Sequence, residues 1–313
     1  MCMAGFTNIN VSDQSGRTIL VTGANTGLGF ETAKVLAAQG ARVLLGCRSV
    51  DKANAAIDAI RVDVSDADLD VVQLDQADLS SVRDAAAQVN EEARLDVLVN
   101  NAGVMMPPKE MTVDGFESQF GVNHLGTFAL TSLLLPKLGE QPDARVVVTS
   151  SIAHRGAKIF FDDINAQSRY RAQDRYGQSK LANLMFAFEL DRRLRRARSS
   201  TIAVGCHPGI ADTELARHLP SLVRFAVPLF RPFFNSAAEG AWPTLMAATA
   251  LGVEGGEYFG PTRRSETAGP AGKAQASSVA RDGALAAGLW ELSIEMTGID
   301  PALPGNEMSG DQI

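Results

Sequence analysis

The sequence predicts an α/β fold: a doubly wound parallel sheet of about seven strands with helices on both faces. From residue 17 onward, short runs of apolar residues rich in β-branched side chains alternate with longer stretches of helical periodicity. This alternation is typical of βαβ units that feed a parallel sheet. Each short run is continuously apolar, as expected for strands that helices cover on both faces.

Six strands are predicted in chain order, and a short seventh completes the sheet. The strands are TILVT (18–22), ARVLLG (41–46), DVVQLD (70–75), DVLVNN (96–101), RVVVTS (145–150), TIAVGC (201–206) and GEYFG (256–260). Helical periodicity fills the intervals at about 28–39, 50–61, 79–93, 113–138, 176–197 and 236–250. Right-handed crossovers then place a ligand crevice outside the carboxyl ends of the strands.

No repeat or composition change marks a second domain, so residues 1–313 are predicted to form one unit. Residues 1–15 precede the first strand as an N-terminal extension. Residues 207–235 follow the last long strand and are expected to lie over the crevice as a substrate loop. Residues 261–313 form a C-terminal tail, in which 261–288 is rich in Gly, Ala and Ser and is either ordered or mobile.

Composition and charge exclude several classes of protein. A net charge of -7 argues against a nucleic-acid partner, which requires a basic surface. The three cysteines and four histidines lack metal-ligand spacing, so the cysteines are interpreted as free thiols of a reducing compartment. The absence of a signal peptide and of ~18 uninterrupted apolar residues predicts a soluble, cytoplasmic protein without a membrane span. Excess arginine over lysine and abundant alanine hint at a GC-rich bacterial genome.

A basic run, RRLRRAR (192–198), closes one predicted helix. Cations suit the negative end of a helix dipole, so a solvated helix end is favoured over a phosphate or lipid site.

A glycine-rich turn, TGANTGLG (22–29), joins the first strand to the first helix. Main-chain N–H groups at a helix start suit a pyrophosphate, so the turn predicts a Rossmann-type dinucleotide site. Gly23 permits the turn, Gly27 lets the pyrophosphate approach and Gly29 allows close helix packing. The spacing is GxxxGxG rather than GxGxxG, and a glycine-rich turn without a ligand is the alternative. The predicted cofactor contacts here are Gly23, Asn25, Thr26, Gly27, Leu28 and Gly29.

The end of the second strand, LLGCRS, selects the dinucleotide. NAD sites usually carry a carboxylate here for the ribose hydroxyls, whereas this strand ends in Arg48 and Ser49. A cation fits a 2′-phosphate, so NADP(H) is predicted over NAD(H), with Arg48 as its main selector. An exposed surface arginine is the alternative.

Further cofactor contacts are predicted at the ends of the third and fourth strands. Asp75, followed by Gln76, is placed to accept a hydrogen bond from the adenine amino group. NNAG (100–103) supplies Asn101, Ala102 and Gly103, which are small enough for a cofactor to lie close.

Tyr176 and Lys180 stand four positions apart, and Tyr176 is predicted to begin the helix at about 176–197. Residues i and i+4 share one helix face, so the ammonium can lie near the phenol. A free tyrosine has a pKa near 10, and roughly 4 kcal/mol of preferential phenolate stabilisation is needed to bring it near neutrality. A nearby ammonium and an oxidised nicotinamide together supply such stabilisation. The alternative for this pair alone is a non-catalytic one, in which Tyr176 is an amphipathic side chain and Lys180 a surface charge.

Several motifs in one order resemble the short-chain dehydrogenase/reductase superfamily. They are TGANTGLG, NNAG, Ser151 followed by YGQSK (176–180), and HPGIADTEL (207–215). NHLGTFALTSLLLPKL (123–138), SSIAHRG (150–156), YGQSKLANLMFAFEL (176–190) and LWELSIEMTG (289–298) are similar to its retinol-dehydrogenase-like branch. The resemblance runs from about residue 15 to 299.

The resemblance implies a catalytic tetrad of Asn123, Ser151, Tyr176 and Lys180. Tyr176 passes a proton to the carbonyl oxygen while NADPH gives hydride to its carbon, and Ser151 bonds the same oxygen. Lys180 lowers the tyrosine pKa and holds the nicotinamide ribose, and Asn123 fixes a water that relays protons. Ser151 is preferred to Ser150 because it directly precedes the Ile-Ala-His segment. His154 in that segment is given a structural role in the turn rather than that of a second base.

The loop closing over the nicotinamide amide matches Pro208, Gly209, Ile210 and Thr213. Many retinol-active members carry an amino-terminal membrane anchor, and none is predicted from this sequence, so the expected substrate is a lipophilic carbonyl or alcohol rather than a retinoid specifically. A catalytically idle NADP-binding regulator and a different reaction on the same fold are the alternatives.

Leu184, Met185 and Phe188 are expected to pack on a neighbouring element, such as a second subunit of a homodimer or homotetramer.

Overall fold

Eight strands form one sheet in residues 5–210 and 235–303, the parts of the chain that this computed structural model describes. The strands are β1 (Thr18–Thr22), β2 (Arg42–Cys47), β3 (Leu69–Gln73), β4 (Val97–Asn100), β5 (Arg145–Thr149), β6 (Ile202–Cys206), β7 (Tyr258–Arg263) and β8 (Ala268–Lys273). Their order across the sheet is β3-β2-β1-β4-β5-β6-β7-β8, and every neighbouring pair is parallel except β7 and β8. The order reverses between β1 and β4, which is where such sheets open a ligand crevice.

Helices cover both faces of the sheet. The main ones are α1 (Gly27–Ala38), α2 (Val50–Asp63), α3 (Leu79–Asn90), α4 (Gly126–Gly139), α5 (Ala172–Arg196), α6 (Trp242–Thr249) and α7 (Gly283–Thr297). β1 shows the two layers, because Ile19 and Val21 pack in a cluster with α1, α2 and α6, whereas Leu20 packs in a second cluster with α3, α4, α5 and α7. Alternation along the strand therefore builds one apolar core on each face.

The doubly wound α/β prediction is confirmed, and each of the seven predicted strands is found within two or three residues of its predicted ends. The sheet has eight strands rather than about seven, because AGPAGK (268–273) forms β8 although it has no β-branched residue. The predicted helix at 113–138 starts at Ser118 and passes through a π-helical turn, Gly121–Leu125, before α4. Helix α5, predicted at about 176–197, starts at Ala172, so its prediction to begin at Tyr176 was wrong.

Residues 261–288, for which the sequence leaves order and mobility open, contribute strand β8 and the first turns of helix α7. β8 extends the sheet, and the main chain of Phe6 pairs with Ala271 along its outer side. Helix α7 packs against α4 and α5, where Trp290 contacts Phe128 and Phe186. Residues 268–299 are therefore part of the folded core.

The apolar face of α5 is covered within the chain. Leu184, Met185 and Phe188 are buried, as expected, and their cluster includes Ala286 and Leu289 of α7. The burial prediction is confirmed with α7 as one of the neighbouring elements. Assembly as a homodimer or homotetramer stays a prediction.

The basic run at the end of α5 is largely paired with carboxylates of the same helix. Arg192 and Arg193 both pair with Glu189, and Arg195 pairs with Asp191. Arg193 is buried, contrary to a fully solvated helix end, and its guanidinium lies 4.3 Å from the centre of the Trp290 ring. Because carboxylates neutralise these three guanidinium charges, the basic run is not favoured as a phosphate site.

Candidate active site

The glycine turn after β1 lies at the carboxyl edge of the sheet, where the strand order reverses. Gly23 and Gly27 have positive φ angles of 68° and 58°, a conformation that L side chains rarely adopt. A Cβ on Gly29 would lie 2.4 Å from the carbonyl oxygen of Gly23 and 2.6 Å from Nδ2 of Asn101. The turn and α1 therefore pack as closely as the motif predicts.

The start of α1 leaves room for an anion. Thr26 is the N-cap residue, but its side chain accepts no hydrogen bond from the first turn of the helix. Asn25, Gly27 and Leu28 are partly exposed in the same turn. Uncapped N–H groups at a helix start bind phosphate oxygens well, so the residues present fit the pyrophosphate of a dinucleotide.

Replacing Gly29 by alanine is expected to weaken dinucleotide binding and to lower the free energy of unfolding by about 1–3 kcal/mol. The added methyl overlaps a main-chain oxygen, so the turn or α1 must shift. Urea unfolding and a fluorescence titration with NADPH measure the two effects. Gly139→Ala is the matched control, because a Cβ there meets no atom within 4 Å. Unchanged binding and stability in Gly29→Ala would contradict the packing argument.

The NNAG segment ties the glycine turn to the centre of the site. The N–H groups of Asn101 and Ala102 both donate to Oγ1 of Thr22, and Nδ2 of Asn101 donates to the Thr22 carbonyl. A Cβ on Gly103 would lie 3.0 Å from Oδ1 of Asn123 and 3.3 Å from Nζ of Lys180. Asn101 and Ala102 thus hold the turn, whereas Gly103 borders two of the predicted catalytic side chains.

Arg48 lies at the tip of β2, and its side chain is 79% exposed. Its guanidinium is 4.0 Å from the carboxylate of Asp75 at the end of β3. Ser49 accepts a hydrogen bond from the first turn of α2 as its N-cap. The side-chain amide of Gln76 donates to the carbonyl of Val122, so this part of Gln76 is occupied by the protein. The structure thus brings Arg48 and Asp75 together.

Asn123 lies in the π-helical turn before α4, and its side chain is fully buried. Its Oδ1 accepts from the Val104 N–H at 2.7 Å, and its Nδ2 donates to the Val104 carbonyl and to Oγ of Ser179, both at 2.9 Å. π-Helical turns occur frequently at functional sites. Because both amide hydrogens are used, any water at Asn123 must bind to one of its oxygen atoms.

Tyr176 and Lys180 lie in α5, and only 3% and 5% of their surfaces are exposed. The ammonium of Lys180 is 5.8 Å from the centre of the Tyr176 ring and donates to the Thr149 carbonyl at 3.3 Å. This burial contradicts the alternative of an amphipathic stem beside a surface charge. The helix therefore places the two groups as the i, i+4 spacing predicts.

The two serines after β5 make different hydrogen bonds. Oγ of Ser150 donates to the main-chain carbonyl of Lys180 at 2.7 Å, which commits its proton to the scaffold. Oγ of Ser151 accepts from the Ala153 N–H at 3.2 Å, and this bond leaves its own proton for another acceptor. A Cβ on Gly177 would lie 3.2 Å from the Ala153 carbonyl oxygen, so the serine loop packs on α5 beside Tyr176.

The segment Pro208 to Ile210 is held by Thr267, which directly precedes β8, and by Asn235. Gly209 has a φ of 78°, and a Cβ there would lie 2.4 Å from the Thr267 carbonyl oxygen. The Ile210 N–H donates to that same oxygen, and Nδ2 of Asn235 donates to the Pro208 carbonyl. Thr213, and most of the predicted substrate loop, lie outside the described residues.

Sequence reasoning missed two groups that hold the site together. The Thr149 carbonyl accepts from Lys180, and Oγ of Ser179 accepts from Asn123. A main-chain carbonyl carries no residue-type signal. Ser179 follows Tyr176 by three positions, which could have placed it near the tyrosine's helix face.

Two classes of feature are absent from residues 5–210 and 235–303. No cluster of three or more His, Cys, Asp or Glu side chains there could hold a metal ion. No helix in the same ranges has the length and apolar character to cross a membrane.

The doubly wound sheet, the uncapped glycine turn and the buried Tyr176–Lys180 pair define the class of dinucleotide-binding oxidoreductases. The short-chain dehydrogenase family model matches residues 17–222. The chain belongs to that family and, within it, to the retinol-dehydrogenase-like branch, as the resemblance implied.

Curated relatives include mouse retinol dehydrogenase 12, which is 44% identical over 94% of this chain and 89% of the relative. Human retinol dehydrogenase 12 is 44% identical over 91% of the chain and 87% of the relative. The solved structure of an uncharacterised Mycobacterium paratuberculosis protein is 40% identical, with a TM-score of 0.80 over 96% of this chain and all of that one. A Burkholderia cenocepacia short chain dehydrogenase in complex with NADP is 25% identical, with a TM-score of 0.62 over 79% of this chain and 96% of that one.

Proposed function

We propose that the protein is an NADP-dependent oxidoreductase that moves hydride between the nicotinamide and a lipophilic carbonyl or alcohol, with Tyr176 as general acid and base. Family membership already identifies an oxidoreductase acting on CH-OH groups. The observation that carries the finer proposal is the burial of Tyr176 beside the Lys180 ammonium, next to the Ser151 loop and Gly103.

The bound dinucleotide would supply or accept the hydride, and the side chains of this chain would handle the proton. In reduction, Oη of Tyr176 donates its proton to the carbonyl oxygen, and in oxidation the phenolate accepts it back. The Lys180 ammonium stabilises the phenolate relative to the neutral phenol, which supports proton transfer by Tyr176. Ser151 donates a hydrogen bond to the same substrate oxygen, where charge develops in the transition state.

Asn123 supports this proton transfer by position. Its side chain clamps the Val104 main chain and Ser179, which fixes the π-helical turn beside Gly103 and Lys180. We propose that an oxygen atom of Asn123 binds a water that passes protons between Lys180 and solvent.

For the cofactor we propose NADP(H) rather than NAD(H). Among the described residues, those predicted to bind it at the strand ends lie along the carboxyl edge of the sheet, from the glycine turn to Ile210. Arg48 is exposed at the tip of β2, and β2 ends without a carboxylate, which supports a 2′-phosphate as the ligand there. The NADP complex of the Burkholderia relative supports the same choice.

Arg48→Asp is expected to shift the ratio of kcat/KM for NADP over NAD toward NAD by roughly 10- to 100-fold, because a hydrogen bond to a charged group contributes about 1.5–3 kcal/mol. Steady-state kinetics with both coenzymes measure the ratio. Arg61→Asp on the exposed end of α2 makes the same charge change as a control. An unchanged ratio in Arg48→Asp would remove Arg48 as the selector.

The substrate proposal rests on the names of the retinol dehydrogenase relatives and on the apolar run within residues 207–235. Assaying the purified protein with NADPH and NADP against aldehydes, ketones, retinoids and sterols tests it. Turnover confined to small polar carbonyls would contradict a lipophilic substrate.

We further propose that residues 1–313 act as one NAD(P)-binding domain, in the cytoplasm, as a homodimer or homotetramer. Size-exclusion chromatography with light scattering at micromolar concentration distinguishes these assemblies from a monomer.

A further inference from the structure

We propose that His154 is a positioning residue of the active site, which holds Ser151 in place and ties it to the C-terminal segment, defined as residues 261–299. The inference rests on the role proposed for Ser151. His154 would touch neither substrate nor cofactor, and would act only through the serine.

Two hydrogen bonds define the state of His154. Its Nδ1 lies 2.6 Å from the Ser151 carbonyl oxygen, and the Ser277 N–H lies 3.2 Å from its Nε2. A main-chain N–H can only donate, so Nε2 accepts, and the ring proton is assigned to Nδ1, which donates to Ser151. One neutral tautomer satisfies both bonds, whereas an imidazolium would lose the bond from Ser277. Burial lowers the pKa of His154, in agreement with a neutral ring.

The ring itself is fixed by packing. His154 is 1% exposed, and its ring meets the edge of Tyr258 with 5.6 Å between ring centres and an interplanar angle of 88°. Arg155, the next residue, bonds the carboxylate of Glu266 and the Gln275 carbonyl. The turn after Ser151 is therefore attached to the C-terminal segment at two successive residues.

Opposite this attachment, Oγ of Ser150 donates to the Lys180 carbonyl in α5. The main chain of Ser151 is thus held between the helix that carries Tyr176 and the C-terminal segment. A hydrogen-bond donor stabilises a transition state only when it is placed to a fraction of an ångström, since a misplacement of about 1 Å can cost on the order of 100-fold in rate. Loss of the His154 ring removes one of the two donors to the Ser151 carbonyl, since only the main-chain N–H of residue 154 remains, and leaves the Ser277 N–H without its acceptor, which favours a shift of the loop.

Four variants test the proposal: His154→Phe, His154→Asn, Ser151→Ala and the double variant Ser151→Ala/His154→Phe. Phenylalanine keeps the ring and removes both hydrogen bonds, whereas the asparagine amide can donate from a position near that of Nδ1. We expect His154→Phe to lower kcat by about 10- to 100-fold, with KM and the Kd for NADPH within about threefold. His154→Asn should recover most of kcat. In the Ser151→Ala background, His154→Phe should cost less than about twofold, because the group it positions is gone.

Asp96→Asn is the matched control for lost stability. Asp96 is buried at the amino end of the strands, where it bonds the Thr18 N–H and Arg94, away from the site. The Asp96→Asn variant should lower the urea midpoint of unfolding and leave kcat unchanged where the protein is folded. A second readout needs no turnover, because nitrogen-15 shifts of the His154 ring should report the neutral Nδ1–H form throughout pH 6–8.

The outcomes separate this inference from the proposed function. Additive losses in the double variant, or a His154 ring that titrates near neutral pH, would overturn the positioning role while leaving Ser151 in the mechanism. An unchanged kcat in Ser151→Ala would contradict the proposed role of Ser151 and this inference with it.

Discussion

Tyr176→Phe is expected to lower kcat by about 10²- to 10⁴-fold while leaving NADPH binding within a few fold. The substitution removes one oxygen atom from a buried side chain and keeps the ring beside Lys180. General acid-base catalysis contributes typically 10²–10⁴-fold, and no other described tyrosine lies within α5 to replace it. Turnover at saturating substrate and a fluorescence titration with NADPH measure the two quantities.

Tyr170→Phe is the matched control for this experiment. Tyr170 lies shortly before α5, and its hydroxyl donates to the Pro107 carbonyl at 2.6 Å. Tyr170→Phe therefore also removes one tyrosine hydroxyl, but one that serves the scaffold. We expect this variant to keep its turnover. Activity retained in Tyr176→Phe would remove Tyr176 as the acid, whereas equal losses in the two variants would indicate a general effect on folding.

Local sequence was sufficient to predict the parts of the site that depend on one element each. The glycine turn follows from three glycines between a strand and a helix, and the Tyr176–Lys180 pair follows from i, i+4 spacing. The link from His154 to Ser277 spans 123 positions, and no local pattern reports it. The start of α5 could not be predicted because its N-cap residue, Arg171, is not one of the residue types that commonly cap helices.

Helix α7 is a different case, because its termini carry signals that could have been used. Asp282 caps the first turn by accepting from the N–H groups of Ala284 and Leu285. Gly298 ends the helix with a φ of 62°, in the left-handed region. The Gly-, Ala- and Ser-rich composition of 261–288 overlaps the first turns of the helix and obscures these signals. What the sequence could not predict was the partner of the helix, which is α5 together with Phe128 of α4.

Trp290→Ala is expected to lower the free energy of unfolding by about 3–5 kcal/mol, the usual cost of removing a buried aromatic side chain. Trp290 is 3% exposed and stacks on Phe186 with 5.9 Å between ring centres. It also meets Phe128 edge-on at 5.3 Å and carries the Arg193 guanidinium over its face at 4.3 Å. The substitution therefore opens a cavity between α7, α4 and α5. It also removes the aromatic face that the buried Arg193 guanidinium contacts. Urea unfolding followed by circular dichroism measures the change.

Two control variants separate packing from chemistry at this position. Trp290→Phe keeps an aromatic ring, and the indole N–H has no hydrogen-bond partner among the described residues, so a smaller loss is expected. Ile9→Ala changes a side chain that is 84% exposed and should stay within about 0.5 kcal/mol of the parent. If α7 unfolds together with the sheet, Trp290→Ala lowers the urea midpoint without changing the slope of the transition. A loss below about 1 kcal/mol, or a separate early transition, would show that the C-terminal helix is not part of the cooperative unit that carries Tyr176 and Lys180.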